Sequence, residues 1–104
     1  MKYTFKELID VPVLQELTDE LYAVASIPSA IVTMDGEILT GSGWQKICTD
    51  FHRKHPEIEK ECIESDTTIR RELDSGEPFV VYKCPQGLVD ASSPIIIAGE
   101  HVAN

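Results

Sequence analysis

The chain has 104 residues, 42% of them hydrophobic, and carries 9 Lys and Arg against 18 Asp and Glu, a formal charge of −9. A chain of this length buries one hydrophobic core and hardly two, so we expect a single domain over residues 1–104. The negative charge disfavours contact with phosphate backbones and anionic membranes, which excludes nucleic acid and membrane surfaces from the expected partners.

The cysteine count and the hydropathy bear on the compartment. No apolar run approaches the roughly 20 residues of a membrane span, and the N-terminal residues lead into an amphipathic segment. The three cysteines are an odd number at wide, irregular spacings, which is typical of a reducing compartment. We therefore predict a soluble, cytoplasmic protein.

The first predicted element is an amphipathic helix. Asp10 is placed to cap its start, Pro12 falls in its first turn, and it ends near Ser26, before Pro28. Its apolar stripe consists of Leu14, Leu17, Leu21 and Val24, which recur at helical spacing.

A hairpin and two further helices follow. In SAIVTMDGEILTG, residues 29–41, two short apolar runs flank Asp35-Gly36, which predicts two antiparallel strands joined by a two-residue turn. The next predicted helix ends at Pro56, and one face of it carries Trp44, Ile47, Cys48 and Phe51. Residues 57–75 repeat the pattern, with Gly76 as the stop and a stripe of Ile58, Cys62, Ile69 and Leu73.

Strands are predicted for the rest of the chain. PFVVYKC, residues 78–84, is rich in β-branched and aromatic residues, and SSPIIIAGEHVAN, residues 92–104, predicts a strand, a turn at Ala98-Gly99 and the beginning of one more strand. Helices placed between two groups of hairpin-forming strands predict an α+β fold with a mainly antiparallel sheet.

Six pieces of sequence, in this order and spacing, carry a family resemblance: DGEILT, WQKIC, CIESD at residues 62–66, SGEPFVVYKC, GLVD at residues 87–90, and SPIIIAGEHVA. From about Ile9 onward the chain resembles the PocR-type sensory domain, a variant of the PAS fold in bacterial and archaeal signalling proteins. The resemblance implies that a curved antiparallel sheet and its covering helices enclose a small-molecule cavity. It also implies an attached output domain, a sensor histidine kinase of a two-component system or a transcription regulator.

The chain departs from the family pattern in two places. Most members continue beyond GEHVA, so the last strand is expected to be truncated here, and Pro85 stands where the family often has a histidine. The PAS-like order implies that the last strand lies between the first strand and the one before it. A short strand there leaves backbone groups unpaired, so we expect a homodimer that covers the N-terminal helix and this gap.

The resemblance and the helix spacing together define the candidate ligand site. Ser65 and Asp66 follow Cys62 by three and four residues, so all three project from one side of a helix, where they could contact a ligand. The alternative for Asp66 is an ion pair with Arg70, one turn later. We expect a cavity between the two middle helices and the concave sheet, holding a small, largely apolar ligand with one or two polar groups and no cofactor. The predicted ligand-binding residues are Trp44, Cys48, Cys62, Ser65, Asp66, Cys84, Gly87 and Asp90.

Two alternatives remain open beside the small-molecule sensor. Cys48, Cys62 and Cys84 could form a metal or thiol-redox sensor, with His52 four residues after Cys48, although paired short spacings are lacking. The second alternative is a dimerisation module whose core is filled and holds no ligand. Catalysis is not expected, because phosphate-binding glycine loops and metalloprotease motifs are absent, and the charged run HRKHPEIEKE, residues 52–61, is predicted to be a solvated helix face.

Overall fold

The computed structural model describes residues 3–68, 76 and 78–104, and it has the predicted α+β architecture. The helical elements are α1 (Phe5–Leu8), α2 (Val11–Ala25), a π-helical turn (Ile47–Phe51), a 3-10 turn (His52–Lys54) and α3 (Pro56–Thr68). The strands are β1 (Ser29–Val32), β2 (Ile38–Ser42), β3 (Val80–Lys83), β4 (Val89–Ser92), β5 (Ile95–Ile97) and β6 (Glu100–Ala103). They pair in sequence order as three antiparallel hairpins.

The boundaries of α2 confirm the predicted helix. The Asp10 side chain accepts a hydrogen bond from the backbone N–H of Val13 at 3.3 Å, and Pro12 occupies the first turn. At the other end Ser26 adopts the left-handed conformation with φ 57°, and its N–H bonds the carbonyl of Tyr22 at 2.8 Å. Both ends thus satisfy backbone groups that the helix alone leaves unpaired.

The α2 helix packs on β2 through its polar side. The Gln15 side-chain amide donates to the carbonyl oxygen of Gly41 at 2.9 Å and accepts from the N–H of Gly41 at 3.0 Å. The buried Ser42 hydroxyl donates to Asp19 Oδ1 at 2.6 Å. The opposite side of the helix therefore faces outward, and most of the predicted apolar stripe is exposed: Leu17, Leu21 and Val24, together with Val13.

The β1–β2 hairpin has a three-residue loop, so the predicted two-residue turn was wrong. The N–H of Gly36 bonds the carbonyl of Thr33 at 3.1 Å, and the N–H of Thr33 bonds the carbonyl of Glu37 at 2.8 Å. Gly36 has φ 92°, the left-handed position that this loop type places last. The Thr33 hydroxyl accepts from the N–H of Glu37 at 3.0 Å and bonds the Asp35 carboxylate, which holds the pKa of Asp35 below its usual range.

The β3–β4 hairpin repeats the same loop. The N–H of Gly87 bonds the carbonyl of Cys84 at 2.9 Å, the N–H of Cys84 bonds the carbonyl of Leu88 at 2.7 Å, and Gly87 has φ 91°. Pro85 occupies the second position of the turn, which favours proline because its φ is fixed. The strand β4 was not predicted, since GLVD lacks the alternating apolar pattern.

In the last hairpin, β6 is the strand that pairs with the end of β1, as the PAS-like order implies. β5 and β6 flank the predicted turn at Ala98-Gly99, and both turn residues have positive φ, as a tight two-residue hairpin requires. Thr33 forms an antiparallel bridge with Ala103, and Val32 and Asn104 exchange two backbone hydrogen bonds of 2.8 Å. The fully buried Ala103 thus lies between β1 and β5.

The middle of the chain differs from the sequence prediction in its helices. Pro56, predicted to end a helix, begins α3, where its missing N–H costs nothing. The predicted positions Ile69, Arg70 and Leu73, and the continuation of this helix to residue 75, lie outside the described residues. Within residues 3–68, 76 and 78–104, no helix combines the length and apolarity of a membrane span.

The Gln15–Gly41 contact leads to the first prediction. The substitution Gln15→Ala removes two hydrogen bonds to the backbone of an edge strand, so we expect the free energy of unfolding to fall by about 1–2 kcal/mol. Urea denaturation followed by circular dichroism measures it. Glu16→Ala is the matched control on the neighbouring exposed position and should change stability by less than about 0.5 kcal/mol. Equal stability of the two variants would contradict this docking of α2.

Candidate functional site

A cavity of about 570 Å³ lies between the β-strands and the segments that carry the π-helical turn and α3. Its wall is mixed in character, with aliphatic, aromatic, thiol, hydroxyl and charged groups. The lining residues are Ile27, Pro28, Ser29, Ala30, Val32, Trp44, Gln45, Cys48, His52, Arg53, Cys62, Ser65, Tyr82, Cys84, Gln86, Leu88, Val89, Asp90, Ala91, Ser92 and Asn104. The volume falls within the range of about 300–1,000 Å³ that small-molecule sites span.

Trp44 forms the part of the wall next to β1 and β2. Its indole Nε1–H donates to the backbone carbonyl of Ser29 at 3.1 Å. The ring lies against Gly41, where an added Cβ would stand 3.4 Å from Nε1, in van der Waals contact with the indole. The Arg53 guanidinium carbon lies 4.6 Å from the centroid of the Trp44 ring, within the range of a cation–π contact.

The π-helical turn corrects the predicted helix face. Trp44 precedes the turn, Cys48 lines the cavity, and Ile47 and Phe51 are exposed instead of sharing the same buried face. The N–H of His52 bonds the carbonyls of both Cys48 and Ile47, which closes the wide turn. A π turn contains an extra residue relative to an α-helix, so spacing by α-helical periodicity fails across it.

The thiols of Cys48, Cys62 and Cys84 all line the cavity. Each cysteine is half-buried, and they form no disulfide with one another. The sulfur of Cys84 accepts a hydrogen bond from the N–H of Leu88 at 3.4 Å, which fixes it at the end of β3. In the part of the chain that the structure describes, no group of three or more His, Cys, Asp and Glu is arranged to hold a metal ion.

The other predicted residues divide into three groups. Ser65 lines the cavity from α3, and Asp90 lines it from the exposed strand β4, opposite Tyr82 on β3. The backbone of Asp66 belongs to α3, but its side chain lies outside the described part of the structure. Gly87 is not among the lining residues and instead forms the left-handed position of the hairpin loop.

Sequence reasoning missed several wall residues. The charged run at residues 52–61 is predicted to be a solvated face, with His52 considered beside Cys48 only in the metal alternative, whereas His52 and Arg53 are both half-buried and line the cavity. The sequence predicts the end of an α-helix at residues 52–55, whereas the structure has a 3-10 turn at His52–Lys54. A usable signal was the position of His52 four residues after Cys48.

The comparison with protein families covers nearly the whole chain. A family model described as a sensory domain found in PocR matches residues 7–104. The chain belongs to the PocR sensory domain family. This family membership makes the protein a sensory domain of signal transduction. No curated protein and no solved structure matches the chain.

Gly43, the residue before Trp44 in this PocR domain, provides the second prediction. Gly43 has φ 68°, and an added Cβ would overlap the ring of Tyr22 on α2. Gly99 has φ 80° with nothing within 4 Å, so Gly99→Ala tests backbone strain alone and should cost about 1 kcal/mol. Gly43→Ala adds an overlap and should cost about 1–3 kcal/mol more. Thermal and urea unfolding of both variants, with Trp44 fluorescence as the probe, measure the difference. Identical losses would show that Tyr22 does not occupy this place.

Proposed function

We propose that this PocR sensory domain binds a small, largely apolar molecule in the 570 Å³ cavity and transmits occupancy to an output domain of the same protein. The observation that supports the proposal most strongly is the mixed wall. Aliphatic groups from Ile27, Val32 and Leu88 provide an apolar surface, and a few polar groups converge on the same space. Ligand sites of this size are mostly apolar, with a small number of placed polar groups that fix orientation.

The proposal extends to the rest of the signalling protein. Residues 1–104 are proposed to form one sensory domain of a larger signalling protein, with a sensor histidine kinase or a transcription regulator as the output. Catalysis belongs in this proposal to the output domain, and the cytoplasm remains the predicted compartment. Nucleic acid is not a proposed partner of the domain itself, because its net charge of −9 opposes phosphate contacts.

A thiol-redox sensor is the second candidate function. It is favoured by one observation, that all three cysteines of the chain border the same cavity. Oxidation of any one of them adds polar oxygen or a bulky adduct to that wall, and the change would alter packing around Trp44. The metal form of this alternative lacks a suitable ligand group in residues 3–68, 76 and 78–104.

A cavity-filling variant tests the ligand proposal. Cys62→Phe places a large side chain in the cavity wall, whereas Glu59→Phe places the same side chain on an exposed position of α3 that does not line the cavity. A library of small organic molecules is titrated against each protein, with fluorescence of the single tryptophan and calorimetry as readouts. We expect ligands of the parent chain to bind the Glu59→Phe variant within about twofold and to lose at least about tenfold affinity for Cys62→Phe.

Two results would contradict the ligand proposal. One is equal affinity of a bound molecule for both variants, which would place it outside the cavity. The other is an absence of binders combined with a reversible response of Trp44 fluorescence to oxidant and reductant. The second result would favour the thiol-redox sensor.

We propose further that the domain self-associates through α2. Packing of its polar side on β2 leaves an exposed stripe of Val13, Leu17, Leu21 and Val24, the last of them 88% exposed. Contiguous apolar surface of this kind marks an interaction site more often than a solvated one. Glu16 and Glu20 lie beside the stripe and are exposed, so two copies of it meet with like charges at the rim.

The charge arrangement makes the dimer test specific. Because salt screens the carboxylates of Glu16 and Glu20, we expect sedimentation analysis to show tighter association at high than at low ionic strength. Leu17→Glu should give a monomer at concentrations at which the parent chain is dimeric. Val81→Glu introduces the same charge at an exposed apolar position on β3 and should leave the dimer intact. Equal effects of both variants, or a monomeric parent chain at high salt, would contradict an interface on α2.

A further inference from the structure

The chemistry of the ligand's polar group can be inferred from the charges of the cavity wall, given the proposed ligand-binding function. Among the described residues that line the cavity, Arg53 is the one lysine or arginine, and Asp90 is the one with an acidic side chain. Arg53 is half-buried, whereas Asp90 is exposed on β4. A charge interacts more strongly where less water screens it, so the half-buried Arg53 should act on a bound molecule more strongly than the exposed Asp90 does.

The guanidinium of Arg53 is held in a defined place. Its carbon lies 4.6 Å from the centroid of the Trp44 ring, and Trp44 is itself anchored by the 3.1 Å hydrogen bond to the carbonyl of Ser29. A guanidinium that stacks on an aromatic face presents its N–H donors at its planar edge, and this edge matches the two oxygens of a carboxylate. Five N–H donors allow an arginine to bind a ligand in addition to a protein partner.

A second donor belongs to the same wall. The side-chain oxygen of Ser29 is buried and has no hydrogen-bond partner among the residues that the structure describes. Ser29 lines the cavity, and its own carbonyl anchors Trp44. A buried hydroxyl of this kind costs free energy unless a partner reaches it, and a ligand oxygen beside Trp44 would supply one.

We propose that the cavity binds a small organic carboxylate, with Arg53 paired to its charge, Ser29 donating to one oxygen, and the apolar part of the molecule against the aliphatic wall. The net charge of −9 repels anions from most of the surface, so a site for an organic anion needs a local cation that is partly shielded from water. The stacked Arg53 satisfies this requirement.

The test compares three matched series of probes. Butanoate, hexanoate and phenylacetate are titrated against the parent chain beside the corresponding alcohols, butanol, hexanol and phenylethanol, and the amines of the same carbon skeletons. Calorimetry and the fluorescence of Trp44, which lines the cavity, report binding. We expect a carboxylate to bind at least about tenfold more tightly than its alcohol and its amine, since charge-assisted hydrogen bonds to arginine are lost in both.

Charge-matched variants locate the interaction. Arg53→Gln should weaken carboxylate binding at least about tenfold. Lys54→Gln removes the same charge from the next residue of the same turn, which is exposed and does not line the cavity, and should change affinity by less than about twofold. If Arg53→Gln fails to fold, Ser29→Ala provides an independent variant that should weaken carboxylate binding about threefold or more.

The outcomes separate this inference from the proposed function. Alcohols or amines that bind the cavity as tightly as the carboxylates would overturn the carboxylate class while leaving a small-molecule sensor in place. Carboxylates whose affinity is unchanged by both Arg53→Gln and Ser29→Ala would overturn the assignment of these residues. The inference and the proposed function would be overturned together by two results combined. These are that no probe binds, and that no other organic molecule loses affinity when Cys62 is replaced by Phe.

Discussion

The hydrogen-bonded pair between the Gln15 amide and the backbone of Gly41 determines how the N-terminal helix relates to the sheet. β2 is an edge strand, and the outward N–H and carbonyl of Gly41 would otherwise be open to pairing with another chain. The Gln15 side chain carries the same donor and acceptor as a peptide group, so it covers this edge as a neighbouring strand would. The helix must therefore direct its polar side at the strand, and its apolar stripe faces outward as a direct consequence.

Contacts on the two sides of β2 connect this pair to the cavity. The backbone of Gly41 bonds the Gln15 amide, and the Trp44 ring lies against the same residue. Gly43 adopts a positive φ against Tyr22, which turns the chain from β2 toward Trp44. Trp44 then bonds the Ser29 carbonyl and stacks on Arg53. These contacts form a continuous set. It connects α2 to the end of β2, and the end of β2 to the cationic part of the cavity wall.

Sequence predicted those parts of the fold that local chemistry decides. The cap at Asp10, the end of α2 at Ser26 and the Ala98-Gly99 turn all follow from residue types with one favoured backbone role. The α+β class and the family followed from the order of the elements and motifs. Helical periodicity failed where a tertiary contact overrode it, because the amide pair turned the stripe of α2 outward and the π turn separated Phe51 from Cys48. The contact between Arg53 and Trp44 could not be predicted, since a charged run gives no indication that one of its members stacks on an aromatic ring.

The cavity also borders the seam between the first and last strands. Val32 and Asn104 both line it, and the same two residues exchange the backbone hydrogen bonds that hold β1 beside the end of β6. In the described part of the chain this seam adds only the Thr33–Ala103 bridge, whereas β1 and β2 pair over four positions. A molecule bound as proposed would therefore contact the residues that join β1 to β6. Because an equilibrium shifts only by the difference in ligand affinity between its states, the proposed ligand would act on this seam only if it bound two arrangements of Val32 and Asn104 with different affinity.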